Sequence, residues 1–258
     1  MVKMLLLIMV IFSGFGCAAK KMAIDNAETL IIYQIGKDLP LSKPQKNELN
    51  KDVISFLNGL KPLSTKLQYV LQKFNPADLE TIDSTYQELE KSYLIIAQDF
   101  SKILARSMAD FNQTQQNEYL EIQKKKASKI KKNKPSERLK KSKERLEHFL
   151  GQVTEEQQNL LAGQNAYFEE RALSRIERRG KLQEQFKEIF SKDITSTEKE
   201  KLIFEAFVNY QKESLAGNKN LEMLKVLLPT LKKDQIKHLN SKKNEIIDLL
   251  KYFNKKEY

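Results

Sequence analysis

The fold is decided by the stretch at residues 79–111, LETIDSTYQELEKSYLIIAQDFSKILARSMADF, which carries the longest regular pattern in the chain. Apolar side chains recur there in alternating steps of three and four residues, the spacing of one helix face packed at a shallow angle against its neighbours. The stripe consists of Leu79, Ile82, Tyr86, Leu89, Tyr93, Ile96, Phe100, Ile103, Ser107 and Phe111. Neither Gly nor Pro follows until Pro135, so the sequence has no obvious break in a helix over residues 77–132.

At about 1.5 Å per residue, a helix of that length would extend roughly 80 Å, more than a compact domain. We therefore expect its polar distal part, residues 113–132, to project, bend or fray. The segment from Asn133 to Ser136 breaks the helix and caps another, which ends at Gly151. The apolar face of this second helix is formed by Leu139, Leu146, Phe149 and Leu150. The two helices predict a helical hairpin at about residues 113–150.

Helix starts recur along the rest of the chain. A polar cap followed three residues later by Glu or Gln, the spacing of a capping box, occurs at Asp25–Glu28, Ser42–Gln45 and Thr154–Gln157. Further starts are predicted at Pro62, at Asn75–Pro76, at Ser196 or Thr197, and after Pro229. The chain has only 8 Gly and 6 Pro in 258 residues, and no segment alternates with the period of a strand. The sequence therefore predicts an all-α protein, an elongated helical bundle with a projecting basic helical hairpin.

Nearly all of the excess positive charge lies in that hairpin. The formal net charge of the chain is +11, and residues 124–145 hold 12 Lys or Arg against 2 Glu, a net +10. The basic residues are Lys124, Lys125, Lys126, Lys129, Lys131, Lys132, Lys134, Arg138, Lys140, Lys141, Lys143 and Arg145. The remainder of the chain is close to neutral, so the charge is a local feature.

Two interpretations of this charge stay open. The simpler one is a solvated surface that keeps the hairpin soluble. The functional one is a binding site for an anionic partner: anionic lipid, lipopolysaccharide, an acidic wall polymer or an acidic protein. Nucleic acid is not expected, because the run lacks the interleaved aromatic side chains on which bases stack and because of the compartment that the N-terminus indicates.

The N-terminal residues, MVKMLLLIMVIFSGFGCAAKK, have the form of a bacterial lipoprotein signal. Lys3 gives a positive start, Leu5 to Phe12 an apolar core, and small residues then lead to Cys17, the only cysteine of the chain. We expect residues 1–16 to be a signal peptide, Cys17 to carry the lipid, and residues 17–258 to form the helical body. By the sorting rule of enteric bacteria, Ala18 favours the outer membrane over the inner one.

Alternatives to a lipid anchor exist. The apolar run is shorter than the about 20 residues that a membrane-spanning helix needs, which disfavours such a helix or a buried apolar one. Gly14 stands three residues before the cysteine, where a lipoprotein signal usually has an aliphatic side chain, and Phe15 follows it. Ordinary secretory cleavage is therefore the main competing interpretation.

Catalytic motifs are lacking in the sequence. The two histidines, His148 and His238, fall on separate predicted helices, and neither has a Cys or His at metal-ligand spacing. A nucleophile elbow, a glycine-rich phosphate loop and a zinc-protease motif are all missing. We therefore predict neither an enzyme nor a catalytic residue, and neither a metal nor a cofactor.

Three helix starts share the form aliphatic-x-x-x-Gln: Leu41–Gln45, Val153–Gln157 and Leu231–Gln235. A generic helix cap explains each of them singly. Their order after Cys17 and the segment Ile24–Leu30, with the basic helix of residues 138–150 between them, resembles a family of uncharacterised all-helical bacterial lipoproteins. That family has a Tyr-Asn-x-Ala-like segment and Leu-Thr-x-x-Gln helix starts. The resemblance implies lipid anchoring and a helical fold, and it implies no known activity.

The same starts are similar to the Leu-Thr-x-x-Gln pairs of small periplasmic stress chaperones of the Spy and CpxP type, which hold unfolded envelope proteins. This chain is longer, and its motifs stand at other spacings. The resemblance suggests an alternative function, a periplasmic holdase-type chaperone, beside the leading expectation of a lipid-anchored envelope protein that docks an anionic partner.

Overall fold

The computed structural model describes residues 17–131, 135–216 and 219–258. Within these ranges the regular elements are all helices and no β-strand occurs, which confirms the all-α prediction. The predicted signal peptide at residues 1–16 lies outside the described residues, and so do Lys132 and Lys134 of the predicted hairpin.

The helices follow one another with short connections. The first half contains α1 (Cys17–Asp25), α2 (Ala27–Gly36), α3 (Lys43–Gly59), α4 (Lys61–Lys73), α5 (Leu79–Ala109) and α6 (Gln113–Lys131). The second half contains α7 (Pro135–Leu150), α8 (Glu155–Gly163), α9 (Asn165–Ser191), α10 (Ser196–Leu215), α11 (Asn220–Leu227), a 3₁₀ turn (Leu228–Thr230) and α12 (Lys233–Lys255).

The most extensive packing in the described chain joins α5 to α10. Polar contacts reinforce this interface, because the buried Gln211 donates from Nε2 to the carbonyl oxygen of Ala97 at 2.9 Å and to Oγ of Ser101 at 2.6 Å. Phe100 lies nearby in the core and packs against Phe56 of α3, with ring centroids 5.7 Å apart. The stretch that carries the longest pattern is therefore the helix on which the bundle is assembled.

The apolar stripe of this helix is only partly buried. Ile82, Phe100 and Ile103 are buried as the periodicity predicts, whereas Leu79 and Leu89 are exposed. Periodicity marks a helix face, but how far each position on that face is covered depends on the reach of the neighbouring helices. Such coverage is a property of the tertiary structure.

Residues 77–132 do not form one continuous helix, since the helix is interrupted between α5 and α6, where the polar distal part at residues 113–132 begins. Asn112 caps the second helix: the backbone N–H of Gln115 donates to its side chain at 3.0 Å, and the Gln115 side chain accepts from the backbone N–H of Asn112 at 3.1 Å. The chain thus changes direction without a glycine or proline, because a reciprocal cap satisfies the exposed backbone groups.

Among the other predicted starts, the capping boxes at Ser42–Gln45 and Thr154–Gln157 are confirmed. The start predicted at Ser196 or Thr197 is capped by Thr195 instead, and the helix expected after Asn75–Pro76 is capped by Asp78. Each helix start is thus shifted by one to three residues, to a side chain that accepts a hydrogen bond from a backbone N–H of the first helical turn.

The predicted capping box at Asp25–Glu28 does not form. Asn26 separates α1 from α2 without a side-chain cap, and backbone hydrogen bonds join the two helices across it. The carboxylate of Asp25 instead accepts from the hydroxyl of Tyr252 at 2.8 Å. The side chain of Asp25 therefore contacts α12 and does not cap α2.

Helix α9 lies at the centre of the second half, where it packs against α6, α7, α8 and α10. Its buried Phe186 meets Tyr119 of α6 edge-on, with centroids 5.8 Å apart, and Phe207 of α10 at 5.0 Å. Phe190, one turn further along α9, adds contacts with Phe111 and Tyr119. This aromatic cluster fixes α6 on α9.

Candidate functional site

The twelve basic residues at positions 124–145 are here called the basic arm, and ten of them lie on α6 and α7. Five of them are exposed on these two helices. They are Lys124, Lys125, Lys140, Lys141 and Arg145. Lys124 has an acidic neighbour in Glu121, which is itself exposed and lies 3.8 Å away. These five side chains can meet an external anion without breaking a contact of the core.

Two other members of the basic arm are engaged within the protein. Lys126 is half-buried and forms an ion pair with Asp38, which follows the end of α2. Lys143 donates to Oε1 of Gln158 at 3.3 Å and lies 3.7 Å from the carboxylate of Glu147. Both side chains help to fix the basic arm on the bundle and are less available to a partner.

The remaining members of the basic arm are not described. The side chains of Lys129, Lys131 and Arg138 lie outside the described part of the chain, as do the whole residues Lys132 and Lys134. Both flanking helices contact α9, and α7 also contacts α8 and α12. The described part of the basic arm is thus held along the bundle by tertiary contacts.

The predicted lipid site, Cys17, is the first described residue and begins α1 directly, although its side chain lies outside the description. Helix α1 is docked on α12, since the buried Lys20 forms an ion pair with Glu245. Burial acts to raise the pKa of Glu245, but hydrogen bonds from Lys20 and Lys242 outweigh it and lower that pKa. The chain is therefore helical from Cys17 onward, and this first helix is fixed on the last one.

Two of the three glutamine-containing helix starts meet in the core. Gln157 and Gln235 are buried, and each side-chain amide donates to the other: Gln157 Nε2 to Gln235 Oε1 at 3.0 Å, and Gln235 Nε2 to Gln157 Oε1 at 2.8 Å. Each amide also donates to a carbonyl oxygen just before the partner helix, of Thr230 at 3.3 Å and of Gln152 at 2.6 Å. The starts of α8 and α12 are thus joined through their capping residues.

The third start is paired by donation in one direction with a helix start that could not be recognised in the sequence. Gln115 Nε2 donates to Oε1 of Gln45 at 2.7 Å and to the carbonyl oxygen of Pro40 at 2.6 Å. Pro40 stands two residues before the cap Ser42, as Gln152 stands two residues before the cap Thr154. The signal was present as Asn112-x-x-Gln115, but the uninterrupted apolar stripe concealed it. The glutamine motifs therefore have a structural role inside the bundle.

No catalytic or metal-binding constellation is found among the described residues. No group of three or more His, Cys, Asp or Glu side chains in this part of the chain is arranged to hold a metal ion. His238 lies with Nε2 3.2 Å from the carbonyl oxygen of His148, and its ring packs beside Gly151, which ends α7 with φ +78°. The two histidines are thus neighbours in the fold through a helix-terminus contact.

The comparisons with known proteins assign no class. No protein-family model matches the chain, and neither the search of curated proteins nor that of solved structures finds a significant match. In the described ranges, none of the helices has the length and apolar character needed to cross a membrane.

Proposed function

We propose that this protein is a lipid-anchored, helical interaction protein of the bacterial cell envelope, without catalytic activity, which docks an anionic partner through its basic arm. The observation that carries the proposal is the concentration of charge, a net +10 within residues 124–145 of a chain whose total is +11. The exposure of Lys124, Lys125, Lys140, Lys141 and Arg145 supports it. Positive side chains near an anionic lipid surface contribute about 1 kcal/mol each.

The proposed anchor is a lipid on Cys17 after removal of residues 1–16, with the outer membrane as the favoured location. The helical conformation of Cys17–Asp25, which leaves no extended tether after the cysteine, supports a body held close to the membrane. Mass spectrometry of the mature N-terminus, with and without Cys17→Ala, tests the anchor. An acylated cysteine is expected in the native chain, and an unmodified N-terminus at another residue would contradict it.

The basic arm is tested by charge reversal in the full chain carrying Cys17→Ala, so that membrane binding does not depend on the lipid. Changing Lys124, Lys125, Lys140 and Lys141 to Glu should weaken co-sedimentation with phosphatidylglycerol vesicles at least a hundredfold. Lys126 is kept, because its ion pair with Asp38 makes it part of the fold.

A matched control reverses four exposed lysines on other helices, giving the same net charge. Suitable positions are Lys46, Lys187, Lys201 and Lys237. Binding of the control should fall far less than that of the basic-arm variant. Equal losses would show that net charge alone governs the interaction, and unchanged binding of both variants would remove the basic arm from the proposal.

A second function, a holdase-type chaperone, is favoured by one observation. Large apolar side chains are exposed on α5, α9 and α11, where an unfolded client could bind. They are Leu79, Leu89, Ile95, Leu173 and Val226. A holdase should suppress aggregation of an unfolded envelope protein at equimolar ratio, and Leu79→Ser with Leu173→Ser should reduce that effect. Aggregation that proceeds at its normal rate would exclude this function.

A further inference from the structure

A partly enclosed cavity of about 80 Å³ lies where α2, α5, α6, α9 and α10 converge. Its wall is largely apolar and includes Leu104, Phe186 and Phe207. Its polar side includes Arg179 and Gln183 of α9, Gln123 of α6, Gln34 of α2 and Asp38. An apolar pocket with a few convergent polar groups is the usual form of a small-molecule site, and the small volume restricts the ligand to a few non-hydrogen atoms.

The arginines beside this cavity lack carboxylate partners. Arg175, one turn before Arg179 on α9, donates to Tyr210, whose ring lines the cavity. Among the residues that the structure describes, neither Arg175 nor Arg179 forms an ion pair, and Nε of Arg175 is buried without a hydrogen-bond partner. Burial and the nearby Arg179 lower the pKa of Arg175. Two neighbouring guanidinium groups thus concentrate positive charge at the polar end of the cavity.

The acidic group in the wall does not balance this charge. Asp38 lines the cavity, but its carboxylate is already paired with Lys126. The local sum therefore remains positive. Placing unpaired charges in a poorly solvated position is costly, and a bound anion would remove that cost. The planar fork of a guanidinium fits a carboxylate with two parallel hydrogen bonds.

We infer that this cavity is a binding site for a short-chain acyl carboxylate. The carboxylate contacts Arg179, with the charge of Arg175 behind it, and the acyl chain lies against Phe186, Phe207 and Leu104. A free inorganic anion matches the charge and leaves the apolar wall uncovered, while an uncharged acyl chain matches the wall and leaves the guanidinium groups unpaired. The ligand therefore combines both features. This site is distinct from the exposed lysines of the basic arm.

The inference is tested by calorimetric titration of butanoate, a short-chain carboxylate, into the full chain carrying Cys17→Ala, which avoids detergent. We expect saturable binding at one site, with affinities for butan-1-ol and for inorganic phosphate at least tenfold weaker. Arg179→Met should weaken butanoate binding at least tenfold, whereas Arg145→Met in the basic arm should leave it unchanged.

Circular dichroism verifies the fold of each variant, and Arg179→Lys, which keeps the charge, replaces Arg179→Met if the latter unfolds. The lysine variant should bind several-fold more weakly than the native chain, because the two-pronged contact is lost. Absence of saturable binding, equal affinity for butan-1-ol or phosphate, or native affinity in an Arg179 variant would overturn the inference. The charge-reversed basic-arm variant should still bind butanoate, so failure of this site and failure of the proposed function are separate results.

Discussion

Lys20 is one of the most deeply buried side chains of the described chain, with 2 % of its surface exposed. An ammonium group in such a position is stable only when it is paired, and Glu245 of α12 supplies the partner. Hydrogen bonds from Lys20 and Lys242 hold the pKa of Glu245 below its ordinary value in spite of burial. This contact ties the predicted anchor end of the protein to its last helix.

The first prediction concerns this ion pair. Glu245→Gln should lower the free energy of unfolding at pH 7 by about 3 kcal/mol, because it leaves the buried ammonium of Lys20 without a counter-charge. Denaturant unfolding measures the change. The control is Glu48→Gln, because Glu48 is exposed and pairs with Lys51 at the surface. This substitution should lower the free energy of unfolding by less than about 0.5 kcal/mol. Equal losses of unfolding free energy for the two substitutions would show that burial of the Lys20–Glu245 pair does not increase its contribution to stability.

A pH dependence follows from the same group. Since the folded pKa of Glu245 is lowered, its stabilisation is fully present above the ordinary carboxyl pKa and is lost as the pH falls through the folded value. The unfolding free energy of the native chain should therefore decline on acidification more steeply than that of Glu245→Gln. Parallel pH profiles for the two proteins would contradict this assignment.

At the scale of the helices, the paired starts connect elements that are far apart in sequence. Gln157 accepts a hydrogen bond from the backbone N–H of Thr154 at the start of its own helix. The same side chain donates a hydrogen bond to Gln235 of α12, so it stabilises both a helix start and a contact between helices. The pair Gln45–Gln115 repeats the arrangement at a less buried position. A short motif of this kind is therefore a connector between helices as well as a cap.

The second set of variants tests this connection. Gln157→Ala should cost about 2 kcal/mol, because it removes a cap and leaves the buried amide of Gln235 without its partner. A double-mutant cycle with Gln235→Ala should give a coupling energy of about 1 kcal/mol or more. The same cycle on Gln45 and Gln115 is the matched comparison and should give a smaller coupling. Additive effects at Gln157 and Gln235 would refute the connector role.

At the scale of the whole molecule, α9 joins the basic arm to the core. It contacts both arm helices, and its Phe186 is fully buried in the aromatic cluster that also includes Phe207 of α10. Stability and the geometry of the basic arm therefore depend on the same helix. The cavity with Arg179 lies against the same cluster.

The last prediction separates the two faces of this helix. Phe186→Ala should lower the free energy of unfolding by about 4 kcal/mol, since it opens a cavity where three helices meet. Leu173→Ala, at an exposed position of the same helix, should change it by less than about 0.5 kcal/mol. Denaturant unfolding of both variants measures these changes. A small loss of unfolding free energy for Phe186→Ala would contradict the prediction and would mean that the aromatic cluster can rearrange to fill the space.

Much of the helical structure was accessible from sequence because helix formation and capping are local. Ser42–Gln45 and Thr154–Gln157 were identified as caps from residues three apart, and Gly151 as a terminator from its freedom to adopt a positive φ. The interruption at Asn112 was missed because the apolar stripe continues on both sides of it. The start of α6 at this position is stabilised by a tertiary contact, the hydrogen bond from Gln115 to Gln45, which the local pattern does not show.

The candidate site could be predicted from the sequence to a smaller degree than the helices. The positive charge of the basic arm is a property of composition and was evident in the sequence. Whether a given lysine faces solvent is not, and Lys126, which resembles its neighbours Lys124 and Lys125 in sequence, pairs with Asp38. Nothing in the sequence distinguishes Arg175 and Arg179 from the other charged residues of α9, and only their position beside the cavity does so.

The sequence by itself determined that the chain is helical, where most helices begin and end, and where its positive charge is concentrated, because these depend on neighbours within about four residues. Only the tertiary structure decided that Lys20 meets Glu245 and that Gln157 meets Gln235. It also decided that unpaired arginines border an apolar cavity. Such contacts join residues tens to hundreds of positions apart, and their partners are selected by the packing of whole helices rather than by any local pattern.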